Sequence, residues 1–113
     1  MGADLYFSGS YSLAHGHFRD AYNNGSLLRA YGLSWWRDVA PLCGADGAFT
    51  ATRKFLALLD GHLFIFRRCV RGVRAGDSEL DPAFADRWVK DSRRLRGLLH
   101  RLAKSKRVAI FSL

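Results

Sequence analysis

Apolar residues between positions 51 and 74 recur at intervals of three, four, three, four and three: Leu56, Leu59, Leu63, Phe66, Val70 and Val73. That period places them on one side of a helix, and it is the strongest periodicity in the chain. A helix is therefore predicted from Ala51 to Arg74, with Thr50 or Thr52 as its cap and Gly76 as its stop. Gly61 interrupts it. A competing reading breaks the helix at Asp60-Gly61 and makes Leu63–Phe66 a strand. A third helix follows from Asp81-Pro82 to about Lys104, turning Phe84, Trp88, Leu95, Leu98, Leu99 and Leu102 inward. Either Asp91 or Ser92 also falls on that seam, with Ser92 inward and Asp91 at the rim beside Arg87 or Arg94 as the favoured choice. At about 1.5 Å per residue, these two helices form an antiparallel hairpin about 30 Å long or more.

A shorter first helix is expected after the Asn23-Asn24-Gly25 turn. Ser26 is its N-cap, and Leu28, Tyr31, Trp35, Val39 and Leu42 line its buried stripe. Gly32 costs it about 1 kcal/mol relative to alanine, and Pro41 ends it. Cys43 to Gly47 reads as a connecting loop, and residues 8–17, which include His15 and His17, read as another. Residues 3–7 and 107–113 are short β-branched or aromatic segments, expected to join the termini as a two-stranded ribbon against the helices. The fold class that follows is mainly α: one small helical domain over residues 1–113, built on a long hairpin and a shorter helix, with that ribbon as a possible addition.

Composition leaves this picture intact. The chain has 113 residues, 49% of them hydrophobic and 25% charged, which suits one globular domain with a real core. No apolar run approaches a membrane span, and the local candidate Leu63 to Phe66 stops at Arg67 and Arg68. The start lacks the features of a secretory signal, and the two cysteines lie far apart, so a reducing cytoplasm is the expected compartment. Asn24-Gly25-Ser26 matches a glycosylation sequon, but it reads first as a turn.

Charge divides the chain. Residues 1–52 hold three Arg against four Asp, whereas residues 53–113 hold fifteen Lys and Arg against six acids, within a total net charge of +8. Arg67, Arg71 and Arg74 on the second helix and Arg87, Lys90, Arg94, Arg101 and Lys104 on the third recur at helical spacing. They are expected to form one positive face, a possible nucleic-acid or other polyanion surface. Against that, any surface helix needs a solvated charged face, and no aromatic residues interleave with these bases as stacking platforms. Arginine outnumbers lysine fourteen to four, as a genome rich in G and C would also produce.

Residues 16–38 concentrate aromatics, arginines and asparagines. Once Leu28, Tyr31, Trp35 and Val39 are assigned to the core, Arg19, Asp20, Tyr22, Asn23, Asn24 and Trp36 remain as a candidate ligand-binding set. Trp36, about 100° around a helix from Trp35, is left near the rim. The ordinary alternative is that Arg19 and Asp20 tether a loop and the asparagines make a turn. His15 and His17 have the alternate spacing of a two-imidazole metal site but lack a third ligand nearby. Cys43 and Cys69 have no CxxC partner. Glu79 is the sole glutamate, and Ser34 lacks the glycines of a nucleophile elbow. No catalytic, cofactor or metal signature is present. The expected function is non-enzymatic binding of a protein, peptide or small ligand through residues 19–36. Polyanion binding is the alternative, and an enzyme of unknown type the third.

Met1 to Tyr6, Arg19 to Asn23, Gly32 to Trp36 and Ser112-Leu113 carry a resemblance. In these segments the chain resembles a group of small bacterial proteins that begin MGADLY, carry RDxYN before GLSWW and end in SL. The resemblance implies a bacterial or phage source and a helical fold, and it transfers no activity.

Overall fold

The structure, a computed structural model, describes residues 2–8 and 15–113. Four strands, β1 (Gly2–Tyr6), β2 (His17–Ala21), β3 (Ala48–Phe49) and β4 (Ala109–Ser112), form one sheet in the order β2-β1-β4-β3. Every neighbouring pair is antiparallel, with Asp4 opposite both Arg19 and Ser112, and Leu5 opposite both Phe18 and Phe111. Because side chains alternate across a strand, this register puts Ala3, Leu5, Phe18, Asp20, Phe49, Ala109 and Phe111 on one face. All seven are buried. Asp4, Tyr6, His17, Arg19, Ile110 and Ser112 share the other face.

The helices cover the inner face. They are α1 (Leu27–Ala30), α2 (Thr52–Gly61), α3 (Leu63–Arg74) and α4 (Ala83–Lys104), with a π-helical turn at Trp35–Val39 and a 3-10 turn at Ala40–Leu42. α4 packs along α3 and α2, while α1 wedges between α3, α4 and β2. Leu56, Leu59, Phe66, Val70, Val73, Trp88, Leu95, Leu98, Leu99 and Leu102 are buried as their periods require. Ser92 is the inward residue of its pair and hydrogen-bonds the buried Tyr31 hydroxyl, whereas Asp91 stays half-buried.

The mainly α expectation, a helical hairpin plus at most a two-stranded ribbon, is therefore corrected to a mixed α+β fold. The terminal strands do pair, but as the centre of a four-stranded sheet. β2 escapes detection because its inward side carries a carboxylate, Asp20, beside Phe18, so the apolar alternation that marks a half-buried strand is absent. β3 is two residues long and has no period to read.

Two helices are corrected as well. The segment from Ser26 to Leu42 is not continuous: Gly32 adopts φ +70°, a left-handed conformation, and ends α1 after a single turn. The chain restarts as a π-helical turn in which the Ser34 hydroxyl accepts a hydrogen bond from the Arg37 N–H. The expected helix over residues 51–74 breaks at His62, and both halves are helical, so Leu63–Phe66 is not a strand. The His62 imidazole hydrogen-bonds the Tyr31 carbonyl at 2.9 Å, tying the break to the end of α1. The loop expected over residues 8–17 lies mostly outside the described residues, and His17 begins β2.

Candidate ligand-binding site

β2 delivers Asp20 to the inner face of the sheet, and the turn after it folds the chain back over that carboxylate. Oδ2 accepts from the Ser26 hydroxyl at 2.7 Å, Trp35 Nε1–H at 2.8 Å and Leu28 N–H at 3.2 Å. Oδ1 accepts from Leu27 N–H at 2.9 Å and Ala21 N–H at 3.1 Å. The carboxylate thus caps the first amides of α1 and anchors Trp35, 15 residues downstream. With its oxygens so occupied, Asp20 is framework for the site rather than a ligand group.

Asn23 also shapes the turn. Its side-chain oxygen accepts from Gly25 N–H at 2.9 Å, and its carbonyl accepts from Ser26 N–H at 3.0 Å. Asn24 is exposed and lines a separate depression of about 350 Å³ with Arg29, Cys69 and Glu79. Arg19 reaches across the outer sheet face to Asp4 at 2.8 Å, and His17 Nε2 meets the other oxygen of Asp4 at 2.7 Å. The Tyr6 ring lies against His17, with centroids 4.7 Å apart. His15 is exposed, and among the described residues no three His, Cys, Asp or Glu side chains gather as a metal site requires.

Tyr22 and Trp36 do come together, with ring centroids 6.3 Å apart. They line an open cavity of about 430 Å³ together with Ser26, Arg29, Gly32, Ser34 and Arg37. Trp36 is 63% exposed. The Tyr22 hydroxyl is buried, and among the described residues it has no hydrogen-bond partner. Burial, reinforced by the Asp4 charge, raises the Tyr22 pKa, so the group stays a neutral phenol and a donor.

Of the two arginines in the wall, Arg37 is committed. It bonds Asp38 Oδ2 through Nε at 3.0 Å and through a terminal nitrogen at 2.8 Å, and it reaches the Gly32 carbonyl at 3.2 Å. The hydrogen bond from Arg37 holds Asp38 below the usual carboxylate range and raises the Arg37 pKa in return. Arg29 is exposed, and among the described residues no carboxylate pairs with it. Neither Arg29 nor Ser34 belongs to the ligand-binding set expected from the sequence. Both were legible only as exposed or capping positions of one long helix, and the break at Gly32 is what turns them toward the same opening.

The basic residues do not form one face. Arg67, Arg71 and Arg74 border a groove of about 330 Å³ between α3 and Val89 of α4. Arg87 lies about 200° around α4 from Val89, and Arg94 about 140°. Arg87 stacks on Phe84 at 4.8 Å and Arg94 hydrogen-bonds the His17 carbonyl, so both turn toward β2 and the 23–25 turn. Arg74 pairs with Asp86 at 2.8 Å. Lys90, Arg101 and Lys104 are exposed.

The remaining nucleophile and carboxylate candidates have ordinary surroundings. Burial pushes the Cys43 thiol up to about 11 and raises Cys69 as well, which keeps both protonated and unreactive at neutral pH. Burial also raises the Asp91 carboxyl. The Asp20 charge adds to the rise, and Arg87, Arg94 and Lys90 oppose it. A raised folded-state value means that folding favours the protonated acid. That contribution is present at low pH and is lost as pH climbs through the raised value. Asp91→Asn is therefore expected to raise the urea midpoint at about pH 7 and to leave it nearly unchanged at about pH 3. Equal midpoints at both values would show that Asp91 carries no burial penalty.

No family model, no curated protein and no solved structure matches the chain. Among the described residues, no helix is long and apolar enough to cross a membrane.

Proposed function

We propose that the protein is a binding module that takes a planar, anionic group, such as an aromatic carboxylate of a small molecule or a peptide terminus, in the Tyr22–Trp36 cavity. The observation that carries the reading is Arg29, with no carboxylate partner among the described residues, in the wall of an open cavity that also presents the exposed Trp36 ring. An exposed indole contributes flat apolar area, and a free guanidinium contributes a two-pronged donor for a carboxylate. The Tyr22 ring adds a second aromatic wall, 6.3 Å from that of Trp36. Asp20 and Asn23 hold the frame, and Arg19 serves the outer sheet face instead.

The geometry supports binding and no chemical step. Two hydroxyls line the cavity, Ser26 donating to Asp20 and Ser34 accepting from Arg37 N–H, and among the described residues no imidazole or carboxylate lines it beside them as a base.

Titration of the labelled protein with indole-3-carboxylate and with its neutral amide, followed by amide NMR, tests this. The carboxylate is expected to shift signals at residues 22, 29 and 34–37, and the amide to bind more weakly. Arg29→Gln is expected to weaken the carboxylate by about tenfold to a hundredfold, the range of a hydrogen bond to a charged group. Equal binding of acid and amide, or shifts confined to other surfaces, would refute the reading.

A further inference from the structure

Phe64 is the most exposed large apolar side chain in the described chain, at 69%, and its neighbour Ile65 is exposed as well. Phe64 shares a helical face with Arg67, Arg68 and Arg71, at i+3, i+4 and i+7 on α3. All three arginines are exposed, α3 contains no acidic residue, and among the described residues no carboxylate pairs with them. The Arg68 guanidinium stands 5.9 Å from the Phe64 ring centroid, at the outer limit of cation–π contact, so the ring keeps room to stack on another group. Beside this face, Arg67 and Arg71 form the wall of the groove floored by Phe66, Val70 and Val89.

A solvated charged face accounts for the arginines but not for a phenylalanine set among them, where burial would stabilise it by about 2 kcal/mol. From this arrangement we infer that the outer face of α3 binds single-stranded nucleic acid. Phe64 stacks on an unpaired base, and Arg67, Arg68 and Arg71 neutralise flanking phosphates. This inference is independent of the Tyr22–Trp36 cavity. The pairing of an aromatic platform with a cationic track is the general means by which proteins hold single strands without sequence preference. A duplex, whose bases are already stacked, gives the ring nothing to pack on. An anionic bilayer is disfavoured because the apolar stripe of α3, formed by Phe66, Val70 and Val73, is buried in the core, which leaves only Phe64 and Ile65 to insert, far less than the continuous apolar face of an interfacial helix.

The test is fluorescence anisotropy of the full chain with labelled oligo-dT and oligo-U, from about 20 to about 200 mM salt. Binding to at least one is expected, and the preferred one identifies DNA or RNA as the source of the strand. The logarithm of affinity should fall against that of salt with a slope near −2, for three contacts at about −0.7 each. Phe64→Ala, at an exposed position that leaves the fold intact by circular dichroism, should weaken binding by about tenfold or more at unchanged slope. The double variant Arg67→Gln/Arg71→Gln should make the slope shallower, and Trp36→Ala should change neither quantity. The inference is overturned by absence of binding at the lowest salt, by Phe64→Ala binding as tightly as the parent, or by a duplex binding as tightly as the single strands. It is equally overturned if phosphatidylserine vesicles, rather than oligonucleotides, require Phe64.

Discussion

Asp20→Ala is expected to be the most destabilising single substitution in the sheet, costing about 4 kcal/mol or more. The carboxylate is 7% exposed and accepts five hydrogen bonds, from Ala21, Ser26, Leu27, Leu28 and Trp35. Truncation leaves the buried donors of Ser26, Leu27, Leu28 and Trp35 without partners, and each orphan nominally costs about 1–3 kcal/mol. The costs do not simply add, because the turn can relax and admit water. The total is still a large part of the roughly 5–15 kcal/mol by which a domain of this size is stable. A fall in melting temperature of about 15 °C or more should follow. Asp20→Asn keeps one acceptor oxygen but sets an NH2 group against a donor, so an intermediate loss is expected. Ser26→Ala, which removes one of the five bonds, should cost only about 1 kcal/mol. Thermal unfolding followed by circular dichroism measures all three. If Asp20→Ala melted within a few degrees of the parent, the carboxylate would not be the hub of this turn.

The adjacent tryptophans should respond in opposite ways. Trp35 is 3% exposed, stacks on Phe111 with centroids 5.8 Å apart, meets Phe55 edge-on at 5.9 Å and donates its indole N–H to Asp20. Trp35→Ala removes a large buried ring and also orphans part of the Asp20 carboxylate, so a loss of about 3–5 kcal/mol is expected. Trp36 is exposed and touches Tyr22 at its rim, and Trp36→Ala should stay within about 0.5 kcal/mol of the parent. The second substitution should instead reduce binding of the indole carboxylate in the cavity. Urea denaturation of the two variants checks the first half of the contrast, and the NMR titration checks the second. Equal destabilisation by both would mean that Trp36 is part of the core and that the cavity is a packing defect.

The helices were readable because each buries a stripe against neighbours on one side, which imposes a period of three and four on the sequence. Leu56 to Val73 and Trp88 to Leu102 show it, and the choice of Ser92 over Asp91 as the inward residue follows the same stripe. The sheet was not readable as a sheet. Phe18 lies opposite Leu5, but its inward neighbour Asp20 is polar and satisfied by groups up to 15 residues away. A local pattern cannot distinguish such a residue from a loop carboxylate. The candidate set around residues 19–36 was located in the right segment and divided differently by the fold. Tyr22 and Trp36 share the cavity, Asp20 and Asn23 build its frame, Arg19 leaves for Asp4, and Arg29 enters. No aromatic residue was expected among the bases, yet Phe64 stands among Arg67, Arg68 and Arg71. The seam through Leu63 and Phe66 leaves Phe64 off the buried stripe, and its place at i−3, i−4 and i−7 from Arg67, Arg68 and Arg71 follows from the same helical period.

By itself, the sequence determined most of the helical stripes of the core, the two long amphipathic segments, the concentration of positive charge after residue 52 and the outward position of Trp36. Each of these depends on spacing along one element or on simple charge balance. Tertiary structure alone decided that the termini are the middle of a four-stranded sheet, that Gly32 and His62 break two expected helices, and that Asp20 is a hub while Arg29 has no carboxylate partner among the described residues. Those outcomes depend on which donors and acceptors meet across long separations in the chain. A buried carboxylate and an exposed one have the same side chain, and only the partners brought to them by the fold distinguish a structural group from a binding one.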